Sequence, residues 1–282
     1  MSATGTVAPT VPGSSPTLRA RVEGLPTWAG GLAGVVVVVV AWWVASRTLF
    51  TASGAIPHPG AVLARFGSAT ARSDTVQNLS GTLAAAGEGY LVGNVVALLL
   101  AALVLLVPRL EQVVTQVAIV TYCLPLVAVG PILVIVAGRD APQGASVTLA
   151  ALSVFFTTVV GALLGLRAAP RTSLDLVAAY GGGRLTQLRL VQLVAALPNL
   201  FAALKIAAPA AFLGAVLAEY LGSGDDRSLG RALIAAQSAS DAPQLWFLAL
   251  VSGAVAGLAY AVIGLVGRIV TPWSSGAPAG QS

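Results

Sequence analysis

Residues 175–198, DLVAAYGGGRLTQLRLVQLVAALP, form a polar interruption in an otherwise apolar chain. The stretch carries an acid, three consecutive glycines, two arginines and two glutamines. Charge-free runs flank it at 147–166 and 206–218. Its own pattern is helical but broken. Leu174, Val177 and Ala178 share one face, and Leu185, Leu188, Val191 and Val194 form a second stripe at spacing three. The glycines at 181–183 separate the halves, and a glycine break lets one helix end and another begin at an angle. The expected order is helix, sharp turn, short helix, then re-entry into apolar sequence at Pro198.

What surrounds the interruption sets the fold class. Of 282 residues, 57% are hydrophobic and 9% charged. A soluble domain carries about a quarter charged residues, so this chain cannot cover a water-facing surface. Further charge-free runs lie at 29–46, 89–107, 113–138 and 245–267. A helix crosses a bilayer core with about 20 apolar residues, and lipid forces backbone groups to pair internally. The expectation is an all-α integral membrane protein with about six transmembrane helices. The approximate spans are 28–47, 84–107, 113–137, 146–167, 200–221 and 245–267 within a domain at 28–270. The loop at 168–198 interrupts it. A Ser/Thr/Pro/Gly-rich tail at 1–27 is expected to be disordered, and a flexible tail is expected at 271–282.

The first run reads as a retained anchor. Arg19, Arg21 and Glu23 precede it as an n-region would, yet it ends in Trp42, Trp43 and Arg47 rather than a small-residue cleavage site. Glycine pairs four apart, Gly30/Gly34, Gly89/Gly93, Gly161/Gly165 and Gly253/Gly257, suit close helix packing in lipid.

Cytoplasmic segments are rich in Lys and Arg. An inside N-terminus puts Arg19, Arg21, Arg109, Arg167, Arg171, Arg184, Arg189, Lys205 and Arg268 at the inner side, against Glu23, Glu111 and Asp175. The outer side then holds Arg47, Arg65, Arg72, Arg139, Arg227 and Arg231 against Asp74, Asp140, Asp225, Asp226 and Asp241. The bias favours cytoplasmic N- and C-termini and a cytoplasmic loop at 168–198. The net charge of +5 is then a feature of topology, and nucleic acid is not expected as a partner. Turn signals at 55–60 and 138–142 fall outside, and Leu229, Leu233, Ile234 and Gln237 suggest an interfacial helix there.

Little catalytic chemistry is available. One cysteine, Cys123, and one histidine, His58, allow no intrachain disulfide and no metal site of the usual ligand count. The triple glycine is not a phosphate loop, because no Gly-Lys-Ser/Thr ending follows; the only lysine is Lys205, between Leu204 and Ile206. If ATP drives this chain, another subunit binds it.

The frame of the polar stretch carries a resemblance. Asp175, Gly181, Val191 and Leu193 keep the acid, glycine, apolar and leucine spacing of the cytoplasmic EAA loop in permease subunits of bacterial ABC importers. AALPNLFAALKIAAPAAFLGAVLAEYLG at 195–222 and LGRALIAAQSASDAPQLWFLALVSGAVAGLAYAVIGLV at 229–266 resemble the branch that imports nitrate, sulfonates, taurine and thiamine-precursor pyrimidines. The likeness extends back through IPHPGAVLA at 56–64 and YCLPLVAVGPILVI at 122–135. It implies type I importer permease architecture in a bacterial cytoplasmic (inner) membrane. It also implies a second permease copy or related chain, ATPase subunits that carry ATP and Mg, and an extracytoplasmic binding protein. The chain itself is then expected to be non-catalytic and to bind no cofactor.

In such permeases the loop forms a coupling helix that rests in a cleft of the ATPase. The resemblance assigns that contact to Asp175, Ala179, Gly181, Gly183, Arg184, Leu185, Leu188 and Arg189. Leu176 and Val177 stand where the family has small residues, and Val194 stands where its pattern has a first proline. Candidates for the translocation pathway are Glu219, Glu88, Asn94, Pro125 and Pro131, because ionisable, polar and kinking residues within spans mark function. Glu219 alternatively pairs with a helix N-terminus or an Arg at the interface, and Glu88 with outer water. The competing reading of the whole chain is a secondary transporter or channel that needs no ATPase.

Overall fold

The computed structural model describes residues 27–48, 54–138, 141–224 and 226–276. Every regular element among them is helical, as isolated apolar segments require in lipid. The chain divides after Pro59 into two compact units.

The first unit contains α1, Thr27–Thr48. Its valine-rich centre carries no charge, and its last two turns hold Trp42, Trp43 and Arg47. The Trp42 indole donates to the Pro57 carbonyl at 3.1 Å. Arg47 stacks over the Trp43 ring at 5.4 Å, an aromatic and basic cluster of the kind that anchors a span at a membrane surface.

The second unit opens with α2, Pro59–Gly67, and is built on α3 (Ala69–Leu106), α4 (Glu111–Cys123), α5 (Leu126–Ala137) and α6 (Gly144–Arg167). Then come α7 (Arg171–Ala179), α8 (Arg184–Gln187), α9 (Leu193–Tyr220), α10 (Leu229–Ser238) and α11 (Ala242–Val270). α6 is the central helix, with α3, α4, α5 and α9 against it. Lipid provides no hydrophobic drive between helices, so close packing of small residues does that work. Gly89 and Gly93 face α6 directly: a methyl on Gly89 would lie 2.5 Å from the Val147 carbonyl oxygen, and one on Gly93 2.5 Å from a Val154 methyl. Gly161 and Gly165 face α9 in the same way. Gly253 and Gly257, of the same spacing, have open space around them. Ala97, Val104, Val114, Ala118, Phe155 and Val159 form an apolar cluster between α3, α4 and α6.

Side-chain pairs define the two ends of the bundle. At one end Arg167 pairs with Glu111, and Gly267 packs against Phe201. At the other, Arg65 pairs with Asp241 at 2.7 Å, and Ser146 and Ser223 hydroxyls meet at 3.0 Å. Ser228 caps α10 and Asp241 caps α11 through side-chain bonds to backbone N–H groups.

The span boundaries differ from the sequence expectation in three places. The run at 113–137 is two helices, α4 and α5, bent by 93°. The cause is Pro125: it cannot donate an N–H to continue α4, and it holds Leu124 extended at ψ 124°. Ala128 and Val129 N–H groups then bond to the Pro125 carbonyl and start α5. The described residues thus hold five helices long and apolar enough to cross a membrane, or six with the bent pair as one. α3 begins at Ala69, well before 84, because Ser68 caps it and Thr75 and Thr82 bond back to carbonyls four residues earlier. α9 runs through Pro198 from Leu193 instead of starting after it, continuing a π-helical turn at Leu188–Gln192. Of the two tails, 1–26 and 277–282 lie outside the described residues, whereas Pro272–Gly276 is a 3₁₀ turn tied by Ser274 to the Thr271 carbonyl at 2.7 Å.

Candidate functional site

The polar interruption folds as α7, a glycine turn and α8. Gly181 has φ +80°, a left-handed conformation that only glycine adopts freely. The Gly181 N–H bonds to the Ala178 carbonyl at 2.9 Å and the Gly182 N–H to the Val177 carbonyl at 2.8 Å. This pair of bonds is a Schellman closure, which satisfies carbonyls at the end of α7. Gly182 is the closely packed glycine: a methyl there would lie 2.5 Å from a Val177 methyl. Gly183 has an ordinary extended backbone at φ −77° and open space around it. The Gln187 amide donates to the Leu174 carbonyl at 3.1 Å and ties α8 back onto α7.

This folding sorts the side chains. Leu174, Val177, Gln187 and Leu188 are half-buried. Asp175, Ala179, Arg184, Leu185 and Arg189 are exposed. Large apolar groups on the outside are Tyr180, 87% exposed, with Leu176, Leu185 and, just beyond α8, Leu190 at 59%, 60% and 65%. A protruding segment that shows a tyrosine and leucines among arginines has the make-up of an interaction site. Tyr180 was not singled out by sequence, since it sits in an Ala-Ala-Tyr-Gly context with no periodic partner. Leu176, noted only as a departure, is one of the exposed anchors.

The pathway candidates do not converge. Glu219 is 1% exposed. Its carboxylate accepts from the Thr82 hydroxyl at 2.8 Å and from the Gly230 N–H at 3.0 Å. The Leu229 N–H donates to the Thr82 oxygen at 3.0 Å. The carboxylate therefore sits on the N-terminus of α10 and joins α3, α9 and α10. Thr82 escaped sequence reading because it precedes the expected start of the span. Asn94, 6% exposed, accepts from the Thr158 hydroxyl at 2.5 Å and donates to the Tyr90 carbonyl at 2.6 Å. Its amide joins α3 to α6. Glu88 is exposed, on a stripe with Leu91, Val95 and Leu99. Pro125 forms the break between α4 and α5, and Pro131 lies inside α5 beside the buried Gly130.

One ionisable group within the bundle was read only as a topology marker. Lys205 is half-buried between α9 and α11, with its ammonium 4.2 Å from the centre of the Tyr260 ring.

Comparison with known proteins places this architecture. The family described as "Binding-protein-dependent transport system inner membrane component" matches residues 93–275, from within α3 to the 3₁₀ turn after α11. The riboflavin transport system permease protein RibX of Chloroflexus aurantiacus is 29% identical over 87% of this chain and 90% of its own length. The formylaminopyrimidine transport permease protein ThiX of Halalkalibacterium halodurans is 26% identical over 70% of this chain and 77% of its own. The match takes in the protruding segment, α9 and α11 together, and the chain belongs to this family: it is a multi-pass permease component of an ABC transport system for small solutes.

Proposed function

We propose that the chain is the membrane half of an ATP-driven importer, and that α7, the glycine turn and α8 dock it to an ATPase subunit. The observation that carries this reading is the helix–glycine turn–helix segment with exposed Tyr180, Leu176 and Leu185 beside exposed Arg184 and Arg189. Apolar anchors supply the contact, and rim charges orient it against an acidic cleft edge. ATP and Mg belong to that partner, and this chain contributes no catalytic group. A second permease, identical or related, completes the path. An extracytoplasmic binding protein delivers the solute to the opposite end, beside α10. The N- and C-termini are cytoplasmic, as the excess of arginine at the Arg167 and Arg184 end supports.

The solute class is a small polar molecule of the nitrate, sulfonate or heteroaromatic kind. Names of the relatives, a riboflavin and a formylaminopyrimidine permease, support the heteroaromatic end of that range. The test is uptake by liposomes that contain the permease with and without its ATPase and binding protein. Uptake only with the ATPase and ATP supports the importer; equal uptake by the permease alone rejects it in favour of a secondary transporter or channel.

A further inference from the structure

Lys205 is the only lysine of the chain, and it is half-buried on α9 beside α11. Gly161 of α6 packs on Ala203, two residues before it, and Arg167 ends α6 six residues later. On α11, Gly264 adjoins the lysine stem: a methyl there would lie 2.9 Å from Lys205 Cε. Arg268, in the last turn of α11, marks the same end. Lys205 is thus one to two turns inside the rim, or roughly 6–9 Å at 1.5 Å per residue.

A lysine at that depth ordinarily runs its stem to the nearer surface. Helical side chains lean toward their own N-terminus, which for α9 is the Arg268 end. This lysine does not reach it. Its stem runs past Gly264 and its ammonium lies over Tyr260, both on the inward side of Arg268. The charge therefore stays inward of the rim. Among the described residues no carboxylate pairs with it. Attraction to one aromatic ring is smaller than the cost of a charge at membrane depth. The backbone adds to the polarity, because Pro209 sits four residues on and removes the N–H that would bond the Lys205 carbonyl. An inward ammonium and an undersupplied carbonyl both call for water or a polar ligand, and neither suits lipid. Tyr260 is 42% exposed, so the pair opens onto the surface of this chain between α9 and α11.

We propose that Lys205 and Tyr260 line the water-filled path and bind the anionic group of the passing solute. This rests on the importer reading above. The ammonium supplies the counter-charge, and the Tyr260 ring both holds it in place and offers a flat face to a conjugated solute. Gly264 is the position that leaves room for the stem.

The test uses the assembled transporter with its ATPase, with Cys123→Ser removing the one natural thiol. Lys205→Cys is treated with the membrane-impermeant anionic reagent 2-sulfonatoethyl methanethiosulfonate. Leu99→Cys, on the apolar stripe of α3, sets the reference rate. The expected result is modification at position 205 at least tenfold faster than at 99. A second arm places cysteine at Ala261, beside Tyr260, and compares the anionic reagent with its cationic trimethylammonium counterpart. Changing Lys205→Met in that background should lower the anionic-to-cationic rate ratio on the order of tenfold, the size expected for one charge about 7 Å away at the dielectric of water, acting with opposite sign on the two reagents; Lys205→Arg should keep it. Position 205 as slow as 99, or a ratio unmoved by Lys205→Met, overturns the site. Stimulated ATP hydrolysis in the same preparation tests the importer reading separately: hydrolysis that responds while the labelling fails removes the site and leaves the importer.

Discussion

Glu219→Ala separates a structural carboxylate from a solute-binding one. The change removes two charge-assisted bonds at the N-terminus of α10, from Thr82 at 2.8 Å and Gly230 at 3.0 Å. Thr82 keeps an alternative acceptor, the Asn78 carbonyl at 3.3 Å. The Gly230 N–H lies in the first turn of α10, where no intrahelical carbonyl reaches it, and an unsatisfied buried group costs about 1–3 kcal/mol. Loss of a negative charge at a helix N-terminus adds about 0.3–1 kcal/mol. The sum is about 1.3–4 kcal/mol against local opening of α10. Hydrogen exchange of the α10 amides should therefore accelerate on the order of a hundredfold. Glu219→Gln keeps an acceptor for Gly230 and should accelerate exchange by about tenfold or less. The assay is exchange mass spectrometry on the purified permease in detergent. If Glu219→Ala leaves α10 protected within a few-fold yet abolishes uptake, the carboxylate acts on the solute and the bracing argument is wrong.

Gly181→Ala forces a methyl-bearing residue to φ +80°, at a cost of about 1–2 kcal/mol; binding-protein-stimulated ATP hydrolysis should fall while membrane insertion persists. Arg184→Glu should likewise reduce stimulated hydrolysis, most clearly at low salt, because rim charges are screened; a salt-independent loss would point away from electrostatic docking. Asn94→Leu leaves the Thr158 hydroxyl without its amide and should lower stability by about 1 kcal/mol; adding Thr158→Val should recover most of it in a double-mutant cycle of thermal unfolding. Gly93→Val places two methyls where a single one already meets Val154 and Ala151; separation of α3 from α6 should cost about 3 kcal/mol or more and show as a lower Tm.

The helices were legible in the sequence because uncharged runs of about 20 residues have few other fates in lipid. Direction was not. The run at 113–138 sums to one span, yet Pro125 turns the chain by 93° in its middle, and a hydropathy sum carries no orientation. The glycine turn was legible, but the three glycines look alike in sequence; only backbone geometry separates the left-handed Gly181, the tightly packed Gly182 and the unconstrained Gly183. Glu219 and Asn94 stood out as polar groups among apolar ones. Their partners, Thr82, Gly230 and Thr158, come from other helices and from the backbone, which no local pattern reveals. Lys205 was visible as a charge, and charge counting placed it at the inner surface. Its place inward of the rim depends on Gly264 and Tyr260, more than fifty residues away in the chain.

The central claim is that α7, the glycine turn and α8 meet an ATPase. Tyr180 is the most exposed large residue of that segment, so its replacement by a photo-crosslinking phenylalanine analogue reports the contact directly. Irradiation of the assembled transporter, followed by mass analysis of the products, should give an adduct between position 180 and the ATPase subunit, and none when the analogue replaces Leu250 in α11. Adducts at 180 with lipid alone, in a preparation that contains the ATPase, would contradict the account.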